Sequence, residues 1–459
     1  MMVPLDRAVA QATMEAYFNE LAARLSTLLA PGEDYTARFS AETSDFVRLN
    51  RGRIRQPGSV TQRYIDLDLI RGARHATHTL SLSGNLAADH AAVAAAVAGL
   101  RATLPDLGDD PHLALATEIV NSRDVRGEPL PPAEEIIEAV LNAADGLDLV
   151  GLYAGGPVYR GFANAMGQRN WHEATCYNLN WSLYHRTDKA VKSALSGLAW
   201  STPSLVAKMD EARDLLAHIA QPAKSLPPGR YRAYLAPAAM EDIVATLSWD
   251  GFSARAHATR QSPLSRMRDA AGGGLSLDPR VHMAEATADG VAAAFQHDGF
   301  ARPARIPLID GGALAATLVS PRTALEFGAA CGPSNGANGA ESPEALAMAG
   351  GDLPMRDALA ALGTGLFVGN LHYLNFSDRN ACRMTGMTRF ATFWVEDGRI
   401  KAPVDVLRFD DTIYRMLGTN LEALTAETEF LLDNGTYRQR ALASVEVPGA
   451  LLSEMAFTL

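Results

Sequence analysis

The segment Val60–Arg71 reads VTQRYIDLDLIR, and apolar and polar side chains alternate over most of its length. Ile65, Leu67 and Leu69 fall on one side of an extended chain, because successive side chains of a strand point to opposite faces. This period of two predicts a long strand with one buried face. Such a strand needs antiparallel neighbours and a layer of helices over its apolar face.

The residues on both sides of this strand supply the other elements of an α+β layer. Arg51-Gly52 and Gly72-Ala73-Arg74 predict turns that connect it to strands before and after it. Apolar residues recur at helical spacing over Asp6–Ala30 and predict an amphipathic helix, and Asn85 predicts the N-cap of a second, Ala-rich helix. This order predicts an N-terminal α+β domain over residues 1–108, an antiparallel sheet with flanking helices.

Two further parts follow along the chain. Residues 109–226 combine β-rich segments with helices and predict a middle α/β segment. The stretch Gln221–Gly229, QPAKSLPPG, predicts the clearest boundary because Pro and Gly interrupt regular structure. Residues 227–459 contain many short β-forming runs and predict a C-terminal β-rich domain of sandwich or barrel type. We therefore expect an α+β chain in three parts.

Composition argues against several classes of function. The 459 residues include 41 Lys plus Arg and 52 Asp plus Glu, a formal net charge of −11, so direct nucleic-acid binding is not expected. Cys176, Cys331 and Cys382 are far apart and predict neither a disulfide framework nor a paired-cysteine zinc module. We find no apolar run of membrane-spanning length and no secretory leader, and therefore expect a cytoplasmic protein without membrane contact.

Two short strings contain metal-ligand residue types. The string His172–Cys176, HEATC, would place a His and a Cys on one face of a helix, but its surroundings predict a strand, where four residues span about 13 Å. One metal ion cannot bridge that distance, so a strand histidine near a buried cysteine is favoured. His282 and Glu285 lack a third ligand, and a hydrogen-bonded pair is favoured there, although His257 and His297 could approach them in space.

Cys382 is a candidate nucleophile, because it lies between Arg379 and Arg383, and nearby positive charge lowers a thiol pKa. No paired histidine is identifiable, so a buried, inert thiol is the favoured interpretation. The glycine run Gly272-Gly273-Gly274 lacks the residues that follow a phosphate-binding loop. A nucleotide site is therefore not expected.

Several segments, taken in order, point to a known family. Four of them are Phe46–Gln56 (FVRLNRGRIRQ), Asn164–Gly167 (NAMG), Tyr234–Pro237 (YLAP) and Val447–Phe457 (VPGALLSEMAF). The best match runs from Thr385-Gly386 through Phe393–Pro403 (FWVEDGRIKAP) and has a strand–turn–strand pattern. In this order, over nearly the whole chain, they resemble the TldD/PmbA family, also called peptidase family U62 or modulator of DNA gyrase.

The resemblance implies a division of labour that depends on one motif. TldD-like members resemble metallopeptidases with H-E-x-x-x-H on a helix and a distant Cys ligand, whereas PmbA-like (TldE-like) members lack the motif and resemble the non-metal partner. This sequence contains no H-E-x-x-x-H and no H-E-x-x-H; the expected position, Ala239–Thr246, reads AMEDIVAT. Glu241 remains without the histidines, and we interpret it as a first-turn charge that interacts with the helix dipole.

The resemblance also draws attention to the run Asn375–Arg389, NFSDRNACRMTGMTR, where the family's sequence elements meet a peptide cleft. It is predicted to be a polar loop between the apolar β segments Leu366–Leu374 and Phe390–Val395. Arginine forks suit a peptide carboxylate or main-chain carbonyls, and an internal Asp–Arg network that holds a long loop is an equally good interpretation. The residues expected to bind substrate are Asn375, Asp378, Arg379, Arg383 and Arg389.

The resemblance thus implies a TldE/PmbA-like accessory subunit of a TldD-type metallopeptidase that acts on unfolded peptides. No catalytic residue, metal site or cofactor of its own is expected, and the partner is a TldD-like subunit or a second copy of this chain. A peptide substrate could pair with an edge strand of the predicted N-terminal sheet. Two alternatives stay open: a stand-alone peptidase with an atypical site, and a non-enzymatic protein-binding regulator of the gyrase or toxin type. Whether the chain is itself an enzyme is left open.

Overall fold

The computed structural model describes residues 7–186, 189–268 and 274–458, with side chains from residue 14 onward. In this part of the chain the strands form two sheets, one of seven and one of thirteen strands, with helices packed against them. Gly272 and Gly273 of the predicted loop lie outside the described residues. The α+β class is confirmed.

Helices and strands alternate in groups along the chain. The described helices include α1 (Arg7–Leu28), α2 (Leu86–Thr103), α3 (Ala133–Ala143), α4 (Thr202–Ile219), α5 (Pro237–Leu247), α6 (Ala254–Ala258), α7 (Pro321–Phe327) and α8 (Ala358–Leu362). The first sheet contains β1 (Asp34–Asn50), β2 (Arg53–Arg71), β3 (Arg74–Ser81), β4 (Ser122–Arg126), β5 (Asp148–Asn164), β6 (Arg169–Arg186) and β7 (Lys189–Gly197). The second contains β8 (Gly229–Leu235), β9 (Met283–Glu285), β10 (Ile306–Asp310), β11 (Ala313–Leu314), β12 (Ala345–Met348), β13 (Gly365–Val368), β14 (His372–Asp378), β15 (Arg383–Met387), β16 (Thr392–Glu396), β17 (Arg399–Pro403), β18 (Arg408–Thr412), β19 (Leu421–Leu432) and β20 (Ser444–Phe457).

The alternating segment forms the second half of β2, as predicted. β2 pairs antiparallel with β1 on one side and with β3 on the other. Ile65, Leu67 and Leu69 are buried, because they share the face that α1 and α2 cover. The sheet order is β3-β2-β1-β5-β6-β4, with β7 on β6, and β4 runs parallel to β6.

Aromatic packing holds α1 against this sheet. The rings of Phe18 in α1 and Phe39 in β1 are stacked with centroids 5.2 Å apart, and Trp171 of β6 lies 6.1 Å from Phe39. Such aromatic pairs add about 1 kcal/mol each beyond the burial of their area.

Asn85 is the N-cap of α2, as predicted, and its side chain accepts the N–H of Ala88 at 3.1 Å.

The second sheet is mixed, and its described strands form an open array rather than a closed barrel. Its main path runs β11-β10-β9-β12-β20-β8-β13-β16-β17, and β14, β15, β18 and β19 attach beside it. β12 pairs parallel with β20, and β13 with β8. β20, close to the end of the chain, is therefore an inner strand next to β8, and β8 leads directly into α5.

The division of the chain at residues 108 and 226 stays a prediction. β1 and β5 lie on either side of residue 108 and pair antiparallel along most of β1, so the first sheet is continuous across that position. The second sheet begins at Gly229, at the end of the Pro-rich stretch. No helix in the described ranges is long and apolar enough to cross a membrane.

Arg440 connects the segment before β20 to the first sheet. Its buried guanidinium donates to the carbonyl oxygens of Gly156 at 2.9 Å and Cys176 at 2.7 Å, and contacts Sγ of Cys176 at 3.1 Å. Its main-chain N–H donates to the carboxylate of Glu42 in β1 at 3.4 Å. A buried cation is stable only while such acceptors surround it, so these contacts help to fix how the two sheets meet.

Arg440→Met is expected to lower the free energy of unfolding by about 3 kcal/mol, because it leaves buried carbonyl oxygens without a donor. Equilibrium unfolding in urea measures the change. Arg438→Met, in the exposed part of the same segment, is the matched control and should change stability by less than about 0.5 kcal/mol. Equal unfolding midpoints for the two variants would contradict this role of Arg440.

Candidate functional site

A cavity of about 880 Å³ lies between the two sheets. β7 and α4 form the wall on the side of the first sheet, and α5, β13 and β19 form the wall on the other side. Leu215, Tyr234 and Phe367 give the lining an apolar component, and charged side chains interrupt it. This size and mixture are typical of sites that bind a small molecule or part of a peptide.

The spacing of apolar residues in α5 decides which of its side chains face the cavity. Four residues at the spacing of one helical face are buried in the core of the second sheet: Met240, Ile243, Val244 and Leu247. Glu241, Asp242 and Ala245 lie beside that face and line the cavity. Pro237 starts the helix without losing a hydrogen bond, because the first N–H groups of a helix have no partner within it.

Burial raises the pKa of both carboxyl groups of α5. The pKa of Glu241 is raised to about 7, first by burial and then by the negative charge of Asp242. Burial raises the pKa of Asp242 to about 6, against the opposing charge of Lys192 and a 3.1 Å hydrogen bond from the N–H of Leu371. The interpretation of Glu241 as a first-turn charge is wrong, because the first turn of α5 has no acidic residue.

The cavity carries more acidic than basic side chains. The acidic residues in its lining are Glu211, Asp214, Glu241, Asp242, Glu429 and Asp433, and the basic ones are Lys192, Lys208 and Arg356. Lys208 is already paired with Glu429, and burial lowers its pKa. With its carboxylates ionised, the wall around Glu241 therefore has a net negative charge.

The predicted substrate-binding loop is instead a β-hairpin. β14 and β15 pair antiparallel, with Asn375 opposite Thr385 and Asp378 opposite Arg383. The loop prediction is wrong because Asp378 accepts the N–H of Ala381 at 3.1 Å, which closes a tight turn between the two strands. The five predicted residues are absent from the cavity lining as described.

Two arginines of this hairpin hold other segments of the chain. Arg379 donates to the carbonyl of Trp249 at 3.0 Å and to the carboxylate of Asp250 at 2.7 Å. Arg383 pairs with Asp410 of β18 at 3.3 Å. These contacts form the internal network that was the alternative interpretation. Trp249 lines the cavity, so Arg379 helps to fix the rim of the cavity.

The remaining predicted residues contact their neighbours in the hairpin region. Arg389 lies 3.2 Å from Nε2 of His372, and the side chain of Asn375 accepts the N–H of Phe376 at 2.8 Å. A role of the five residues in binding a substrate stays a prediction.

His172 and Cys176 occupy a strand and have different partners, as the strand interpretation predicted. Nδ1 of His172 lies 3.2 Å from Asp124, and Nε2 lies 2.9 Å from the carbonyl of Val291. Cys176 contacts Arg440 instead. Burial lowers the pKa of His172 to about 4, which keeps the ring neutral as a structural element of β6.

His282 and Glu285 also have separate partners, so the predicted pair between them is wrong. Nδ1 of His282 lies 2.8 Å from Asp310, and Glu285 is buried in an ion pair with Arg302. His282 lies just before β9 and Glu285 is the last residue of that strand, so the extended chain between them separates the two side chains.

His257 and His297 have partners other than His282 and Glu285. Nε2 of His257 lies 3.0 Å from the carbonyl of Gly251, and burial lowers its pKa to about 4. His297 lies beside Asp298 at 3.4 Å. Across the described ranges, no three His, Cys, Asp or Glu side chains come together in a group that could hold a metal ion.

The helix position of the family's metal motif does not fit a zinc ion in this chain. With Glu241 in place of the motif's Glu, the two histidine positions are Met240 and Ala245. Met240 is buried in the core, and Ala245 offers a methyl group to the cavity. Neither side chain can replace the imidazole ligands of a catalytic zinc ion.

Cys382 has the properties of an inert thiol. It is buried, and burial raises its pKa to about 12 although the charge of Arg379 opposes the shift. A nucleophilic cysteine needs the opposite, a lowered pKa and access to the substrate. The structure therefore favours the inert interpretation.

A family model and several solved structures resemble this chain. The model of the PmbA/TldA metallopeptidase C-terminal domain matches residues 228–459, just over half of the chain. No curated protein matches the chain.

Three solved structures share the fold over nearly the whole length. TldE from Thermococcus kodakarensis has 11% sequence identity and a TM-score of 0.77, covering 96% of this chain and 100% of that one. A Thermotoga maritima protein named as a candidate modulator of a DNA gyrase has 13% identity and a TM-score of 0.71, covering 97% and 100%. A Bacteroides thetaiotaomicron protein named in the same way has 15% identity and a TM-score of 0.70, covering 100% of both chains. At these identities the likeness is one of fold.

Glu241→Gln is expected to stabilise the protein by about 2 kcal/mol at about pH 8 and to have little effect at about pH 4. A carboxyl with a folded pKa above its ordinary 4.5 contributes stability at low pH, and this contribution is lost as the pH rises through about 7. Urea unfolding at both pH values measures the difference. Glu128→Gln, at an exposed site, is the control. An equal change in the free energy of unfolding for both variants would refute the raised pKa of Glu241.

Brief alkylation of the native protein is expected to modify Cys331 well before Cys176 and Cys382, because Cys331 is partly exposed and the other two are buried. Peptide mapping by mass spectrometry identifies the modified thiols, and unfolding in urea should make all three reactive. Rapid native modification of Cys382 would instead support a cysteine nucleophile.

Proposed function

The chain belongs to the PmbA/TldD family, and from that premise we propose that it is the TldE/PmbA-like accessory subunit of a TldD-type metallopeptidase that acts on unfolded peptides. The observation that carries the proposal is the side of α5 that lines the cavity. Glu241 and Asp242 stand there without the imidazoles on which the family's metal chemistry depends. This chain shapes part of the peptide chamber, and its partner supplies hydrolysis.

The lining of the cavity supports a peptide as the molecule that enters it. An extended main chain offers N–H donors and carbonyl acceptors, and the amide side chains of Asn180 and Asn370 on the cavity wall can match both. Leu215 and Phe367 offer apolar surface for side chains. A folded domain exceeds the volume of this cavity, which favours an unfolded substrate.

A cytoplasmic location is part of the proposal. Cys176, Cys331 and Cys382 are free thiols, which suits a reducing compartment. The stand-alone peptidase is the weaker alternative, because Cys382 is buried and α5 has no imidazole beside Glu241.

Co-expression with a family member that carries H-E-x-x-x-H tests the proposal. We expect a stable complex of the two chains in light scattering after gel filtration, and hydrolysis of an unfolded peptide by the complex that a chelator abolishes. Zinc analysis should find the metal in the partner, and replacing a histidine of the partner's motif should remove the activity.

The separate chains are the controls. This chain alone should neither hydrolyse the peptide nor retain zinc after purification. Hydrolysis by this chain alone would favour the stand-alone peptidase, and equal hydrolysis by the partner alone would overturn the accessory role. A stable complex without any hydrolysis would favour the non-enzymatic regulator.

A further inference from the structure

Glu241 presents a carboxylate to the cavity without a partner from the described part of the chain. Its neighbour Asp242 accepts one N–H, from Leu371, and this leaves further acceptor positions on that carboxylate. Unpaired charge in a partly desolvated place is unfavourable, and it persists most often where a ligand completes the interaction. Two neighbouring carboxylates on the cavity side of α5 suit a hydrogen-bond donor that carries positive charge.

The surrounding elements do not supply that charge in full. The other ionisable groups in the cavity lining are Lys192 of β7, Lys208, Glu211 and Asp214 of α4, Tyr234 of β8, Arg356, Glu429 of β19 and Asp433. Lys208 is held by Glu429. Lys192 opposes the pKa shifts of both carboxyls, yet burial outweighs it. The basic residues of the cavity lining therefore do not neutralise the charge of Glu241.

The cavity also offers surface for the rest of a cationic group. Ala245 and Leu215 can pack against a hydrocarbon stem. Trp249, whose side chain is 49% exposed at the rim, offers an aromatic face of the kind that attracts ammonium and guanidinium groups. Its position is held by the hydrogen bond from Arg379 to its carbonyl.

We propose that this cavity binds a cationic nitrogen group of an extended peptide, either a primary amine or a guanidinium, through Glu241 and Asp242. This assignment rests on the proposed function for the identity of the ligand as a peptide. A molecular cation suits the site better than a metal ion. Ca²⁺ and Mg²⁺ take six or more oxygen ligands and Zn²⁺ needs at least three protein ligands, and the described residues provide no group of three acidic, imidazole or thiol ligands.

Calorimetric titration of the isolated chain with three short peptides, all amidated at the C-terminus and otherwise without charged side chains, tests the proposal. One has a free N-terminus, the second is N-acetylated and contains a single Arg, and the third is N-acetylated without any basic residue. We expect the first or the second to bind at least about tenfold more tightly than the third. The tighter of the two identifies the N-terminus or the side chain as the source of the cation.

Glu241→Gln and Asp242→Asn are each expected to weaken that binding at least about tenfold, because each removes one charge-assisted partner. Glu128→Gln should leave it unchanged. The expected stabilisation of Glu241→Gln at about pH 8 shows that a loss of binding does not come from unfolding.

Binding by the wild-type chain should also weaken at least about tenfold between about pH 8 and about pH 5, because Glu241 and Asp242 become neutral below their pKa values of about 7 and about 6. Glu241→Gln should reduce this dependence on pH. Equal binding of all three peptides, or equal losses in Glu241→Gln and Glu128→Gln, would overturn the assignment.

These titrations use no partner and no hydrolysis, so they separate this inference from the proposed function. A chain that binds the cationic peptide but forms no active complex refutes the accessory role and leaves the cation site standing. A chain that supports hydrolysis by its partner and binds all three peptides equally refutes the cation site alone.

Discussion

The rest of the site depends on how α5 is held at the centre of the second sheet. β8 lies between β20 and β13, and the N–H of Ala236, just after β8, donates to the carbonyl of Val368 at 2.9 Å. The helix therefore starts at a fixed place, and burial of its Met240–Leu247 face fixes its rotation. Once that face is buried, the rotation of α5 puts the side chains of Glu241 and Asp242 on the cavity wall. Their position is a consequence of core packing rather than of any polar contact that they make.

This position has a cost in stability. Raised carboxyl pKa values mean that ionised Glu241 and Asp242 are less stable in the folded chain than in water. A neutral residue of similar shape would relieve that cost. Perturbed carboxyl pKa values cluster at functional sites, which favours a role for these two groups in binding. By contrast, the ion pair of Arg302 with Glu285 and the contacts of Arg440 serve packing, since each of these buried charges meets acceptors or a counter-charge within the chain.

The sequence predicted elements with a strong local pattern and failed where contacts distant in the chain decide. The period of two in β2 and the Asn85 cap are local signals, and both are confirmed. The hairpin of β14 and β15 looked like a polar loop, because Asn375 and Arg383 are polar residues on exposed strand faces and pairing with β18 is invisible in a single sequence. Glu241 was misassigned for a related reason: its environment is built by β7 and α4, which lie far from it along the chain.

The same helix geometry can serve two kinds of chemistry. In the motif implied by the family resemblance, this helix carries two imidazoles for a metal ion. Here those positions are Met240, which is buried in the core, and Ala245, and the motif's carboxylate remains as Glu241. A helix that carries carboxylates but no imidazole ligands attracts positive charge, whereas the metal ion of the motif would polarise a carbonyl. Under the proposed function, a chain with this arrangement would hold a peptide by its cationic group without cleaving it. Under the proposed function, a partner chain would supply the reacting centre.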